Sequence, residues 1–119
     1  ARSNTNGFQN DIDALSNSND FPYILELKRP NESVRTWKPY LADRVNYLEL
    51  SKYSSNIGLP LMNIAYNIAS PGIIQIFRNV RSVGASKLEY EAALVNFTPN
   101  QKLVQLFGDA DFSLLTSTR

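Results

Sequence analysis

Phe21-Pro22-Tyr23-Ile24-Leu25-Glu26-Leu27-Lys28 is the stretch from which the rest of the chain can be read. Its apolar residues are bounded by turn formers, Ser16-Asn17-Ser18-Asn19-Asp20 before it and Arg29-Pro30-Asn31 after it, which predicts a strand. A strand repeats every two residues, so Glu26 and Lys28 fall on one face. Upstream, Phe8-Gln9-Asn10-Asp11-Ile12-Asp13-Ala14-Leu15 alternates imperfectly and reads as a partner strand, with the Ser/Asn run closing a hairpin. Residues 1–7 are polar and read as a loose lead-in.

Downstream of Thr36 the period changes. Trp37, Leu41, Val45 and Leu48 recur at three- and four-residue spacing, predicting an amphipathic helix of about 18–20 residues. Thr36 is its expected cap, Pro39 falls in its first turn, and Gly58 lies past its end. Leu59 to Ile68 reads as a largely apolar, buried strand. Ala69-Ser70-Pro71-Gly72 turns it back into a hairpin partner from Ile73 to Arg78. After a loop at Gly84, Lys87 to Phe97 forms a further candidate strand, and Thr98-Pro99 opens a short helix running to Phe107 and closed by Gly108. A long helix between two strands predicts a crossover, and hence one α/β domain over residues 1–119 with a mixed α+β sheet and helices packed on it.

Composition removes whole classes of chemistry. The 119 residues contain no Cys and no His, which excludes disulfides, thiolate or imidazole zinc sites, and every catalytic arrangement built on a histidine base. Hydrolysis must therefore rest on carboxylates, lysine, tyrosine or a hard metal ion held by oxygens. The formal net charge of +1 gives no strong overall pull toward nucleic acid or anionic membrane. No apolar run approaches the ~18 residues that span a bilayer, so an intracellular, soluble protein, cytoplasmic or nuclear, is expected. A start at Ala1 without an initiator Met reads as a fragment of a longer chain. Asn31-Glu32-Ser33 and Asn96-Phe97-Thr98 match the glycosylation pattern, which chance alone produces readily in an Asn-rich chain.

One constellation stands out. In the expected hairpin, Asp13 lies across from Glu26, with Lys28 alongside; Asp11 is the competing position for the first carboxylate. Two carboxylates, Asp13 and Glu26, together with the backbone carbonyl of Leu27 suit Mg²⁺ or Mn²⁺, which prefer hard oxygen ligands and keep coordinated water. Such an ion activates water and stabilises charge on a phosphodiester transition state without histidine, while Lys28 orients the water and offsets phosphate charge. The alternative is an ordinary solvated strand face carrying a mild ion pair.

Asp13, the polar turn and Tyr23-Ile24-Leu25-Glu26-Leu27-Lys28, followed by a long helix and an apolar strand, resemble the restriction-endonuclease-like PD-(D/E)XK nuclease superfamily over residues 8–78. The resemblance implies a restriction-endonuclease-like core of hairpin, crossover helix, hairpin and C-terminal helix. It also implies a magnesium-dependent hydrolase, an endonuclease acting on DNA or RNA, with Asp13 and Glu26 as metal ligands and Lys28 as catalytic lysine. Ile12 stands where the namesake motif has Pro, and the crossover helix lacks the Gln-X-X-X-Tyr pattern of some branches.

Arg29, Arg35, Lys38, Arg44 and Lys52 run from the motif into the helix and form a candidate nucleic-acid-binding stripe that would contact phosphates, with an ordinary charged helix face as the alternative. Trp37, Tyr40, Tyr47 and Tyr53 read as core or rim, with stacking on single-stranded bases as the minor alternative. So few basic residues leave targeting to another domain or subunit. A binding or assembly module that keeps the scaffold without turnover is the rival function, and a purely structural domain the third.

Overall fold

The computed structural model describes residues 22–67, 72–97 and 103–118. These form an α+β domain built on one five-stranded mixed sheet, with strands β1 (Ile24–Lys28), β2 (Leu61–Ala65), β3 (Ile73–Val83), β4 (Lys87–Asn96) and β5 (Ser113–Ser117) adjacent in that order. Helix α1 (Arg44–Ile57) connects β1 to β2, and α2 (Leu103–Asp109) connects β4 to β5. Because β1 and β2 are parallel, a crossover is required between them, and α1 supplies it; the remaining pairs are antiparallel.

Two apolar clusters lie on opposite sides of the sheet. On one, Met62, Ile64, Ile74 and Ile76 pack with Phe107 of α2, and Leu25 and Leu27 join them. On the other, Trp37, Tyr47, Ala65, Phe77, Leu88 and Tyr90 enclose a cluster of aromatic rings. Phe77 is its hub, with ring centroids 5.4 Å from Trp37, 6.3 Å from Tyr47 and 6.1 Å from Tyr90. The alternation of β1 follows: Leu25 and Leu27 face the α2 side, so Glu26 and Lys28 face the α1 side.

The first strand expected at residues 8–15 lies outside the described residues, as do Phe21 and the expected helix start at Thr98-Pro99. The expected crossover helix exists but begins later, at Arg44 after a 3-10 turn over Leu41–Asp43. Pro39 explains the delay, since it disfavours helical geometry at Lys38, and Tyr40 remains extended at ψ 137°. Thr36 caps nothing in this helix. Its hydroxyl donates to the Ser33 carbonyl within a preceding turn, where the Thr36 and Trp37 amides donate to the same oxygen.

The expected apolar stripe is also rotated. Trp37 is buried, but from the segment before the helix, while Val45 and Leu48 are 64% and 40% exposed. The inward face is Tyr47, with half-buried Ser51 and Ser54 following it at helical spacing. Docking the Tyr47 ring on Phe77 sets that phase, because one buried aromatic outweighs two aliphatic side chains left at the rim. Gly58 ends the helix as expected, in the left-handed conformation at φ 75°, its amide donating to the Ser54 carbonyl at 2.9 Å.

Three further differences concern the strands and the last helix. β3 runs five residues beyond Arg78, to Val83, through a bulge: Arg78 pairs with Glu91 and Arg81 with Glu89, so one extra residue sits on β3. Asn79 takes the left-handed conformation there (φ 55°), which Asn tolerates better than most residues. Gly108 lies inside α2 instead of closing it, and β5 follows where no strand is expected from sequence. Its Ser113-Leu114-Leu115-Thr116-Ser117 lacks alternation, and pairing with β4 rather than burial defines it.

Candidate functional site

Glu26 and Lys28 emerge side by side on the α1 face of β1, with Lys28 Nζ 3.6 Å from Glu26 Oε1 and both side chains about one quarter to one third exposed. The same ammonium lies 5.3 Å from the centroid of the Tyr47 ring, a cation–π contact that gives it a fixed, partly dry floor. Burial pushes the Tyr47 phenol well above the ordinary tyrosine range, with the negative charges of Asp43 and Glu26 adding to it. Tyr47 therefore stays neutral and acts as a wall, not as a proton acceptor.

The backbone contributes as well. The Ile24 amide donates to the Pro60 carbonyl and the Tyr66 amide to the Lys28 carbonyl. Parallel pairing uses alternate residues, so Ile24, Glu26 and Lys28 bond to β2 while the amide and carbonyl of Leu27 point to the outer edge of the sheet. The Leu27 side chain itself packs with the α2-side cluster. Among the described residues β1 has a sheet neighbour on one side only. Asp13 and Asp11 lie outside the described residues. Among the described residues no group of three or more acidic, His or Cys side chains gathers to hold a metal.

The candidate phosphate-binding residues divide. Arg29, Arg35, Lys38 and Lys52 are exposed, whereas Arg44 is half-buried and donates from Nη1 to the Ala85 carbonyl at 3.0 Å, tying the start of α1 to the β3–β4 turn. Of the aromatics, Trp37 and Tyr47 are buried and unavailable for stacking, while Tyr40 and Tyr53 are exposed. No helix among the described residues is long and apolar enough to cross a membrane.

Beside Glu26 in register stands Asn63, 1% exposed, which sequence reading passed over inside its apolar run. Its Nδ2 donates to the Phe77 carbonyl at 3.4 Å, and its Oδ1 has no hydrogen-bond partner among the described residues. The available signal was a lone amide in the otherwise apolar Leu61-Met62-Asn63-Ile64-Ala65, since a polar group in a buried strand needs a partner.

No protein-family model matches the chain, and neither a curated protein nor a solved structure matches it.

Proposed function

We propose that this domain is a metal-dependent nuclease of the restriction-endonuclease-like type, hydrolysing phosphodiester bonds of DNA or RNA. The observation that carries the reading is the Glu26–Lys28 pair, carboxylate and ammonium 3.6 Å apart on one face of a strand whose helical crossover leads to a parallel neighbour. The outward-facing Leu27 carbonyl supports it, because that edge of β1 is where a hairpin strand bearing Asp13 would pair.

The donor chemistry fits a hard cation: Glu26 offers a carboxylate on a half-exposed face, and Asp13 and the Leu27 carbonyl would complete an all-oxygen set for Mg²⁺ or Mn²⁺. When bound, such an ion supplies Lewis acidity and an activated water. Lys28, held over the Tyr47 ring, orients that water and offsets charge on the phosphate. Exposed Arg29, Arg35, Lys38 and Lys52 would position the backbone without reading bases.

The second reading is a binding or assembly module without turnover. The same ion pair favours it, since Lys28 neutralises Glu26 with no metal required. Incubation of the purified chain with plasmid, single-stranded DNA and RNA in Mg²⁺ or Mn²⁺ separates the two. Cleavage that Glu26→Gln and Lys28→Ala both abolish, with circular dichroism unchanged, establishes the nuclease; inactivity on all substrates, or a Glu26→Gln variant as active as the parent, overturns it.

A further inference from the structure

The sheet has a second edge at β5, and its sequence does not guard it. Among the described residues β5 pairs with β4 alone, through five consecutive residue pairs without a bulge. Ser113 to Thr116 are all exposed, Leu114 at 59% and Leu115 at 40%. Soluble proteins protect such edges with charged side chains, proline, bulges or a covering segment, because unpaired backbone groups recruit another strand. From Phe112 to Thr118 the chain has neither a charge nor a proline.

The phase of the ladder fixes which backbone groups face outward. The Phe97 amide donates to the Gly72 carbonyl, and these two residues continue the β3–β4 register, so they form a hydrogen-bonded pair. Alternation along β4 then turns the backbone groups of Glu91 toward β3, and those of Leu88, Tyr90 and Ala92 toward β5. Their register partners Ser117, Leu115 and Ser113 face inward, which leaves the amides and carbonyls of Leu114 and Thr116 pointing away from the sheet. The side chains divide as well: Leu115 shares the α1 side with Tyr90, and Leu114 the opposite side with Glu91.

That edge is complementary to itself. Two copies placed antiparallel about a twofold axis at Leu115 set Leu114 opposite the partner's Thr116, and Thr116 opposite the partner's Leu114. Each of these pairs exchanges both of its hydrogen bonds, so every outward group of the strand is satisfied. Leu115 meets the partner's Leu115 in the close, non-hydrogen-bonded kind of pair, with Cα atoms about 4.5 Å apart. Leu114 lies diagonal to the partner's Leu114 on the other face. Charge agrees with this orientation: Asp111 and Arg119 stand at equal separations before and after Leu115, so antiparallel pairing opposes unlike charges and parallel pairing like ones.

We propose that β5 is a homodimer interface, at which a second copy of this chain adds its own β5 antiparallel in this register and joins the two sheets into one. The interface is independent of the Glu26 and Lys28 site, which lies on the strand at the opposite edge.

Sedimentation equilibrium of the full chain over a concentration series tests it and reads neither cleavage nor metal. The mass should rise from 13.4 kDa toward twice that value. Leu115→Lys, which sets two ammonium groups against each other at the axis, should weaken association about tenfold or more. Thr116→Pro should do the same by deleting an outward amide; an edge strand tolerates proline there, so circular dichroism stays unchanged. Because the chain has no cysteine, mild oxidation of Leu115→Cys should give a disulfide-linked dimer, whereas Ser113→Cys, whose copy lies several residues away across the axis, should not. A monomer at every concentration leaves the edge to a strand of a different protein and overturns the proposal. So does a dimer undiminished by both Leu115→Lys and Thr116→Pro, or cross-linking that favours Ser113→Cys. Dissociation by Val45→Lys with Leu115→Lys still dimeric moves the contact to the exposed side of α1 and overturns it too.

Discussion

Lys28 Nζ lies 3.6 Å from Glu26 Oε1 and 5.3 Å from the Tyr47 ring centroid, so one ammonium ties the carboxylate of β1 to the inner face of α1. The arrangement is partly exposed, and its contribution to stability is correspondingly small. Lys28→Met should lower unfolding free energy by about 1 kcal/mol or less in urea titration. A loss several times larger would show that the pair is buried in solution and belongs to the structural framework.

Tyr47 gives the alkaline limb of stability. Its folded-state pKa is raised, so its contribution is complete below the ordinary phenol range near about pH 10 and is lost as pH climbs from there toward the folded value. Tyr47→Phe should therefore flatten the fall in melting temperature above that pH. At neutral pH the change should be close to neutral, because the hydroxyl has no hydrogen-bond partner among the described residues and its removal relieves a buried donor.

Glu91 acts in the opposite sense. The Asn79 side-chain amide, then the Arg78 guanidinium, hold its carboxyl below the usual carboxylate range. Its contribution is present above that range and disappears as pH falls through the lowered folded value. Glu91→Gln should leave the acid limb of a thermal-stability profile shallower than in the parent; identical profiles for the two proteins would refute the linkage.

Phe77, fully buried, contacts the rings of Trp37, Tyr47 and Tyr90. Phe77→Ala should cost about 3–5 kcal/mol by denaturant unfolding, from lost burial and the cavity left among three rings. A cost near 1 kcal/mol would mean that the α1 side of the sheet collapses easily around the gap.

Gly58→Ala isolates backbone strain. A Cβ at this position meets nothing within 4 Å, so the penalty comes only from φ 75°. About 1 kcal/mol is expected, measured by urea unfolding.

Much of this architecture is legible in the linear pattern. Turn formers on both sides of Ile24–Lys28 and a two-residue period suffice to put Glu26 and Lys28 together, and Gly58 marks the end of α1, because both are properties of local backbone geometry. The same local logic locates β2, its antiparallel partner β3, β4 as a further strand and Phe107 in a short helix.

Other features depended on what each segment met across the fold. Helical spacing alone allows Val45 and Leu48 to face inward, yet Tyr47 does so, since its ring completes the cluster around Phe77. The bulge that aligns Arg78 with Arg81, the pairing that makes Ser113–Ser117 a strand, and the burial of Asn63 with an unsatisfied oxygen all arise from contacts between residues distant along the chain. Periodicity states which residues share a face; only the competition among faces for one core states which of them is buried.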